Sequence, residues 1–190
     1  MFTITPLTEL EAVNEIISSV GEAPVSTLEN ATSVDVVNAV RMLRVVNRDI
    51  QSMGWTFNRA DNVTLVPDRY EKQIPWDDTI LYIQTYDGSV LRNRGGVVFN
   101  VTDNTDVFDE PITVKVRYLV PFEELPEPFR NYITARTARI FQQRYLTDDS
   151  LEQGLAQAEA GAWALVMEYE HDMERNNLTM NQAIMTLMQR

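Results

Sequence analysis

The sequence predicts an α+β protein: a helical bundle built on a long antiparallel helical hairpin, with a small antiparallel β domain inserted into it. Three observations predict it. Between Pro121 and Arg175, apolar residues recur at three- and four-residue spacing on both sides of one short polar break. Between Asn58 and Tyr118 they come instead in short runs, punctuated by Pro67-Asp68, Asp87-Gly88, Gly95-Gly96 and Glu110-Pro111. Before residue 54, helical spacing holds again. The expected division is residues 1–54 for the opening helices, 55–120 for the β domain, 121–176 for the hairpin and 177–190 for a tail.

The first helix starts at a capping box, Thr8-Glu9-Leu10-Glu11, in which Thr8 and Glu11 satisfy each other's backbone N–H. Leu10, Val13, Ile17 and Val20 form its apolar face, and Gly21 ends it in a left-handed cap. Glu22-Ala23-Pro24-Val25 leaves extended, because residues before Pro avoid the helical region. Thr32 or Ser33 caps a second helix with Val36, Val37, Val40, Leu43, Val46, Asn47 and Ile50 on one face and Arg41, Arg44 and Arg48 on another. Met53-Gly54 closes it. Trp55-Thr56-Phe57-Asn58 follows, with alternating aromatics that suggest a strand or a lid.

Five strands are expected: Val63–Val66, Ile80–Thr85, Val90–Arg92, Val97–Val101 and Ile112–Tyr118. The last alternates cleanly, so one of its faces is wet. In the hairpin, the first helix offers Phe129, Tyr132, Ile133, Ile140, Phe141 and Tyr145. The second offers Leu151, Leu155, Ala158, Ala162, Leu165 and Tyr169, the seam of a helix running along another helix. The turn between them is Leu146–Ser150, with Thr147, Asp148 and Asp149 as N-cap candidates. Thr179 caps a last short helix carrying Ile184, Leu187 and Met188.

Composition excludes several function classes. The 190 residues carry a formal net charge of −12 and no Cys. That removes a disulfide framework, a thiolate zinc site and a Cys nucleophile. The acidic balance argues against sequence-specific duplex binding, which uses basic patches to displace counterions. No signal peptide and no apolar run near the ~20 residues of a membrane span is expected.

The chemistry searched for is sparse. His171 is the single histidine and reads as a solvated helix residue rather than a triad member. No HExxH, GxGxxG or phosphate-binding loop occurs, and neither a cofactor nor a metal site is expected. Asp77/Asp78, Asp109/Glu110, Glu123/Glu124 and Asp148/Asp149 are paired carboxylates. Such pairs cleave glycosidic bonds at the right separation, so a polysaccharide-degrading hydrolase is one rival reading. In an acidic chain, adjacent acids are more often turns and caps. Arg136, Arg139 and Arg144 on the first hairpin helix fit two readings equally: ion pairs with Glu152 and Glu159 across the hairpin, or a subunit interface. Arg175 and Trp163 join that candidate interface set; Trp55, Trp76 and Trp163 read first as core or interface residues.

Several segments together resemble the tail tubular protein A family, the head-to-tail adaptors of short-tailed phages. They are Leu10–Ile17 with Val20-Gly21-Glu22-Ala23-Pro24-Val25, then Gly54-Trp55-Thr56-Phe57-Asn58, Leu65-Val66-Pro67-Asp68 and Ile74-Pro75. Arg94-Gly95-Gly96, Pro121–Pro126 and the Tyr132–Gln142 stretch follow in the same order. The resemblance fades after Asn177. It implies a non-enzymatic virion protein forming a ring of twelve copies below the portal. It further implies contacts with tail tubular protein B, the nozzle, and with tail fibres. It implies too that the genome passes through the ring without sequence-specific binding, and no membrane insertion by this chain is expected. On that reading Glu152, Glu159, Glu168, Glu170 and Asp172 are candidates for an acidic channel face that repels phosphate. A connector or binding module of another tail type is the second rival.

Overall fold

The computed structural model describes residues 5–29, 33–146 and 149–180, with side-chain surroundings for all of these except 149 and 176–180. The architecture is α+β, as expected. The chain divides into two compact units: residues 1–50 with 121–190, and residues 51–120.

The first unit is helical. Helix α1 spans Glu9–Ser18, α2 starts at Val34 and runs to Ser52, α3 spans Glu127–Tyr145 and α4 spans Asp149–Met180. The capping box at α1 is formed: the Glu11 amide donates to Thr8 Oγ1 at 3.2 Å and the Thr8 amide donates to Glu11 Oε2 at 2.9 Å. After α1, Gly21 adopts φ +85° and the Glu22 amide returns to the Ile17 carbonyl. Asn14 then holds the extended segment against the helix, donating to the Val25 carbonyl and accepting from its amide. Helix α1 buries Ala12, Val13, Ile16 and Ile17 and packs along α3. Arg130 fixes the start of that packing, donating to the Leu7 and Leu125 carbonyls while the Glu127 carboxylate accepts from the Leu7 amide.

Two expected faces shift. On α2, Val37 is exposed and Val40 half-buried, while Ala39 and Met42 complete the buried set with Val36, Leu43, Val46 and Ile50. Valines at 34, 36, 37, 40, 45 and 46 fall on several sides of the helix, so spacing alone does not choose between neighbouring faces. On α3, Tyr145 is exposed, and burial extends nearly all round through Thr134, Thr137 and Gln142. The two threonines are tolerated there because each hydroxyl donates to the carbonyl one turn back, of Arg130 and Ile133. Thr32, Thr147 and Asp148 lie outside the described residues, as do Ile184, Leu187 and Met188. Helix α4 continues through Thr179 rather than restarting there.

The second unit holds two small antiparallel sheets. Strands β1 (Arg59–Leu65), β5 (Ile112–Tyr118) and β2 (Ile80–Thr85) form one, in that order. Strands β3 (Leu91–Arg94) and β4 (Val97–Asn100) form a hairpin whose two-residue turn, Gly95-Gly96, takes positive φ at both positions. Ile74, Ile80, Ile83, Leu91, Val98, Phe108, Val114 and Val116 build its core.

Trp55–Asn58 is not a strand but a turn, closed by the side chain of Asn58. Asn58 Oδ1 accepts from the Trp55 amide at 2.8 Å, and its Nδ2 donates to the Gln51 and Tyr118 carbonyls at 2.9 Å each. Gln51, fully buried, exchanges a second pair of hydrogen bonds with the Val120 backbone. The residues that enter and leave this unit are thereby tied together. Gly54 has φ +82°, and the Arg117 side chain crosses the space that a Cβ there needs. Arg117 itself donates to the Ser52 carbonyl.

Candidate functional site

The α3–α4 hairpin brings together most of the residues singled out in the sequence. Its seam is a ladder of aromatic and ionic rungs. Phe129 meets Tyr169 edge-on with ring centroids 6.0 Å apart. Tyr132 stacks on Trp163 at 4.8 Å, which places Trp163 inside the hairpin. Arg136 pairs with Glu159 at 2.9 Å. Arg139 reaches Glu152 at 2.7 Å and Glu159 at 3.0 Å, so Glu159 receives two guanidinium groups. Gln143 Nε2 adds a bond to Glu152 at 2.8 Å. The intramolecular reading of Arg136 and Arg139 is thus the geometry observed.

The electrostatics follow from these contacts. The hydrogen bond from Arg139, the Gln143 bond and the Arg139 charge hold the Glu152 carboxyl below the usual glutamate range, against some desolvation. The Arg139 guanidinium is stabilised in return by its bonds to Glu152 and Glu159. The Glu159 side chain is only 12% exposed, and each of its two oxygens meets a guanidinium group.

The covered side of α4 carries Glu152, Leu155, Glu159, Ala162, Trp163, Val166, Tyr169 and Glu170, so Leu155, Ala162 and Tyr169 of the expected seam are kept. The seam is rotated only in part: Glu152, Glu159 and Val166 take the places of Leu151, Ala158 and Leu165. Leu151 and Leu165 are consequently 44% and 53% exposed. Alanines populate every side of α4, so apolar spacing fixes its face poorly. The bulk of Trp163 and Val166 opposite the α3 aromatics, and the acids opposite Arg136 and Arg139, decide it instead.

The same rotation divides the five acids expected on one channel face. Glu152, Glu159 and Glu170 turn toward the seam, Glu170 being buried, whereas Glu168 and Asp172 sit on the exposed opposite side. Arg144 is exposed in the last turn of α3, beside Arg41 and Val45 of α2 along an open groove. Arg175 is exposed near the far end of α4, 3.6 Å from Asp172. His171 is exposed.

Of the paired carboxylates, Asp77 caps a turn and Asp109 forms an ion pair with Lys72. Asp77 accepts from the Thr79 hydroxyl and amide, which hold its carboxyl below the ordinary range. Asp109 is lowered by its hydrogen bond and charge contact with Lys72. A general acid working at neutral pH needs the opposite shift. Asp148 lies outside the described residues. Among the described residues no cluster of three or more His, Asp or Glu is arranged to hold a metal, and no helix is long and apolar enough to cross a membrane.

What spacing missed is the polar framework: buried Gln51 and Asn58, and the Arg130 clamp. Gln51 carried one signal, since it continues the buried face of α2 four residues after Asn47.

Comparison with known proteins adds the family. The model of the family described as tail tubular protein matches residues 10–176, which takes in both units and the whole hairpin ladder. Tail tubular protein A of Klebsiella phage KP34 is 29% identical over 133 residues, covering 67% of this chain and 70% of that protein. The chain belongs to the tail tubular protein family and is a structural component of a phage tail.

Proposed function

We propose that this chain is a head-to-tail adaptor. Copies of it close into a ring of twelve beneath the portal, and the ring joins the portal to the nozzle built of tail tubular protein B. It forms part of the channel for genome ejection and gives tail fibres an attachment region. The observation that carries this reading is the hairpin inside a chain of this family. Two long helices are locked in register by aromatic and ionic rungs, and neighbouring copies of such a strut can be set side by side in a ring. Its likeness to a protein named tail tubular protein A supports the same assignment.

The net charge of −12 fits a channel wall of the same sign as DNA. That property belongs to the assembled ring as a whole. Glu152 and Glu159 pair with arginines of α3, which offsets their charge in such a wall.

The test is assembly on a portal. Purified chain mixed with portal rings is expected to co-sediment as a defined multimer, seen as an added tier by negative-stain imaging. A monomer that never joins the portal contradicts the proposal and favours a separate binding module.

A further inference from the structure

Among the described residues, two apolar strips on the helical unit are exposed. On α4 the rotated seam leaves Leu151, Ala158 and Leu165 facing outward at seven-residue intervals. On α2, Val34, Val37 and Val45 share one exposed face. Heptad spacing on an exposed strip is the pattern of a helix with a second partner helix. The two strips differ in charge. Arg41, Arg44 and Arg48 lie among the α2 valines. Glu168 and Asp172 stand at the end of the α4 strip, on the same outward side. Helix α4 holds seven acidic residues against one basic, Arg175.

We propose that the Leu151–Ala158–Leu165 strip of α4 packs, in parallel, on the valine–arginine face of α2 in a neighbouring copy. This inference rests on the ring reading and identifies its subunit contact. A ring needs a heterologous contact, one surface meeting a different surface, and these two are complementary in charge and both apolar. Their lengths match: about 21 Å from Leu151 to Leu165 and about 16 Å from Val34 to Val45 at the helical rise. Gly154 and Gly161, beside the strip, have open space at their Cβ positions and permit close approach. Charge selects the direction. In parallel, Leu165 meets Val45 while Glu168 meets Arg48 and its neighbours. In antiparallel, Glu168 and Asp172 arrive near Asp35 at the start of α2, away from Arg41 and Arg48.

The absence of Cys makes the test direct. Val45→Cys copies and Leu165→Cys copies are purified separately, assembled on portal, and treated with a short bismaleimide. Both substitutions are at exposed positions. A crosslinked dimer is expected in the mixture and from neither variant alone. Dimers from one variant alone indicate a symmetric contact and overturn the proposal. A ring visible by electron microscopy with no crosslink also overturns it while leaving the ring reading intact; absence of any ring overturns both. As a second measurement, Glu168→Arg with Asp172→Arg should reduce crosslinking about tenfold or more, as should Arg41→Glu with Arg48→Glu. Combining the two reversals should restore it. Loss without restoration, with circular dichroism unchanged, counts against the pairing.

Discussion

Glu159 holds the hairpin register by accepting from two arginines on the facing helix. Replacing both, as Arg136→Ala with Arg139→Ala, leaves a nearly buried carboxylate unpaired. The arginine side chains are 43% and 34% exposed, which screens the interaction, so the cost is about 1–2 kcal/mol rather than the full penalty of a buried pair. Urea unfolding should show that loss with the helical signal retained at zero urea. Acid should act on the same residues. The Glu152 and Glu11 carboxyls are held below the glutamate norm, by Arg139 and by the Thr8 amide respectively. The folded state therefore binds fewer protons at these groups than the unfolded chain does. Their stabilisation is complete above about pH 4.5 and is lost as pH falls through and beneath that range. Glu15, raised by burial, acts in the opposite sense. Thermal melts of Glu152→Gln against the parent should converge in acid and diverge at neutral pH; parallel curves would contradict this. Asn58→Ala removes the acceptor for one buried amide and the donor for two carbonyls. It should cost about 2–4 kcal/mol, measured by urea unfolding.

At the scale of elements, the aromatic rungs carry the hairpin's packing. Phe129→Ala should cost about 3–5 kcal/mol through lost burial and the cavity left behind, read from the denaturant midpoint at constant slope. Strands were legible in the sequence because alternation and turn residues coincide: Ile80–Thr85 and Ile112–Tyr118 lie where they were expected, and Gly95-Gly96 makes the turn. The capping box at Thr8 and the cap at Gly21 were legible for the same reason, each being a local device with a fixed residue requirement. The Arg–Glu pairs of the hairpin were legible as one of two alternatives. Helix faces were less so. Which side of α4 meets α3 is decided by Trp163, Val166 and the ionic rungs together, and only the partner helix reveals that. Val37 on α2 shows the same limit. The Gln51–Asn58 network was not legible, since its partners are backbone groups some sixty residues away, and amide side chains carry no periodicity.

At the scale of the whole molecule, the second unit has a core of its own and closes its own ends through Gln51 and Val120. Residues 51–120 should therefore fold as an excised fragment, with dispersed amide resonances in solution; a collapsed spectrum would show that its core depends on the helices. The helical unit has the opposite character. Its hairpin is complete within one chain, yet Leu151, Leu165, Val34 and Val45 are exposed among the described residues, and the proposed ring is what covers them. The measurement that tests the central claim most directly is a reconstruction of the particle neck by electron microscopy. A closed ring of this chain directly below the portal, with the α3–α4 hairpins as repeated struts, is the result predicted. This chain placed elsewhere in the tail, or present without a ring, would contradict it.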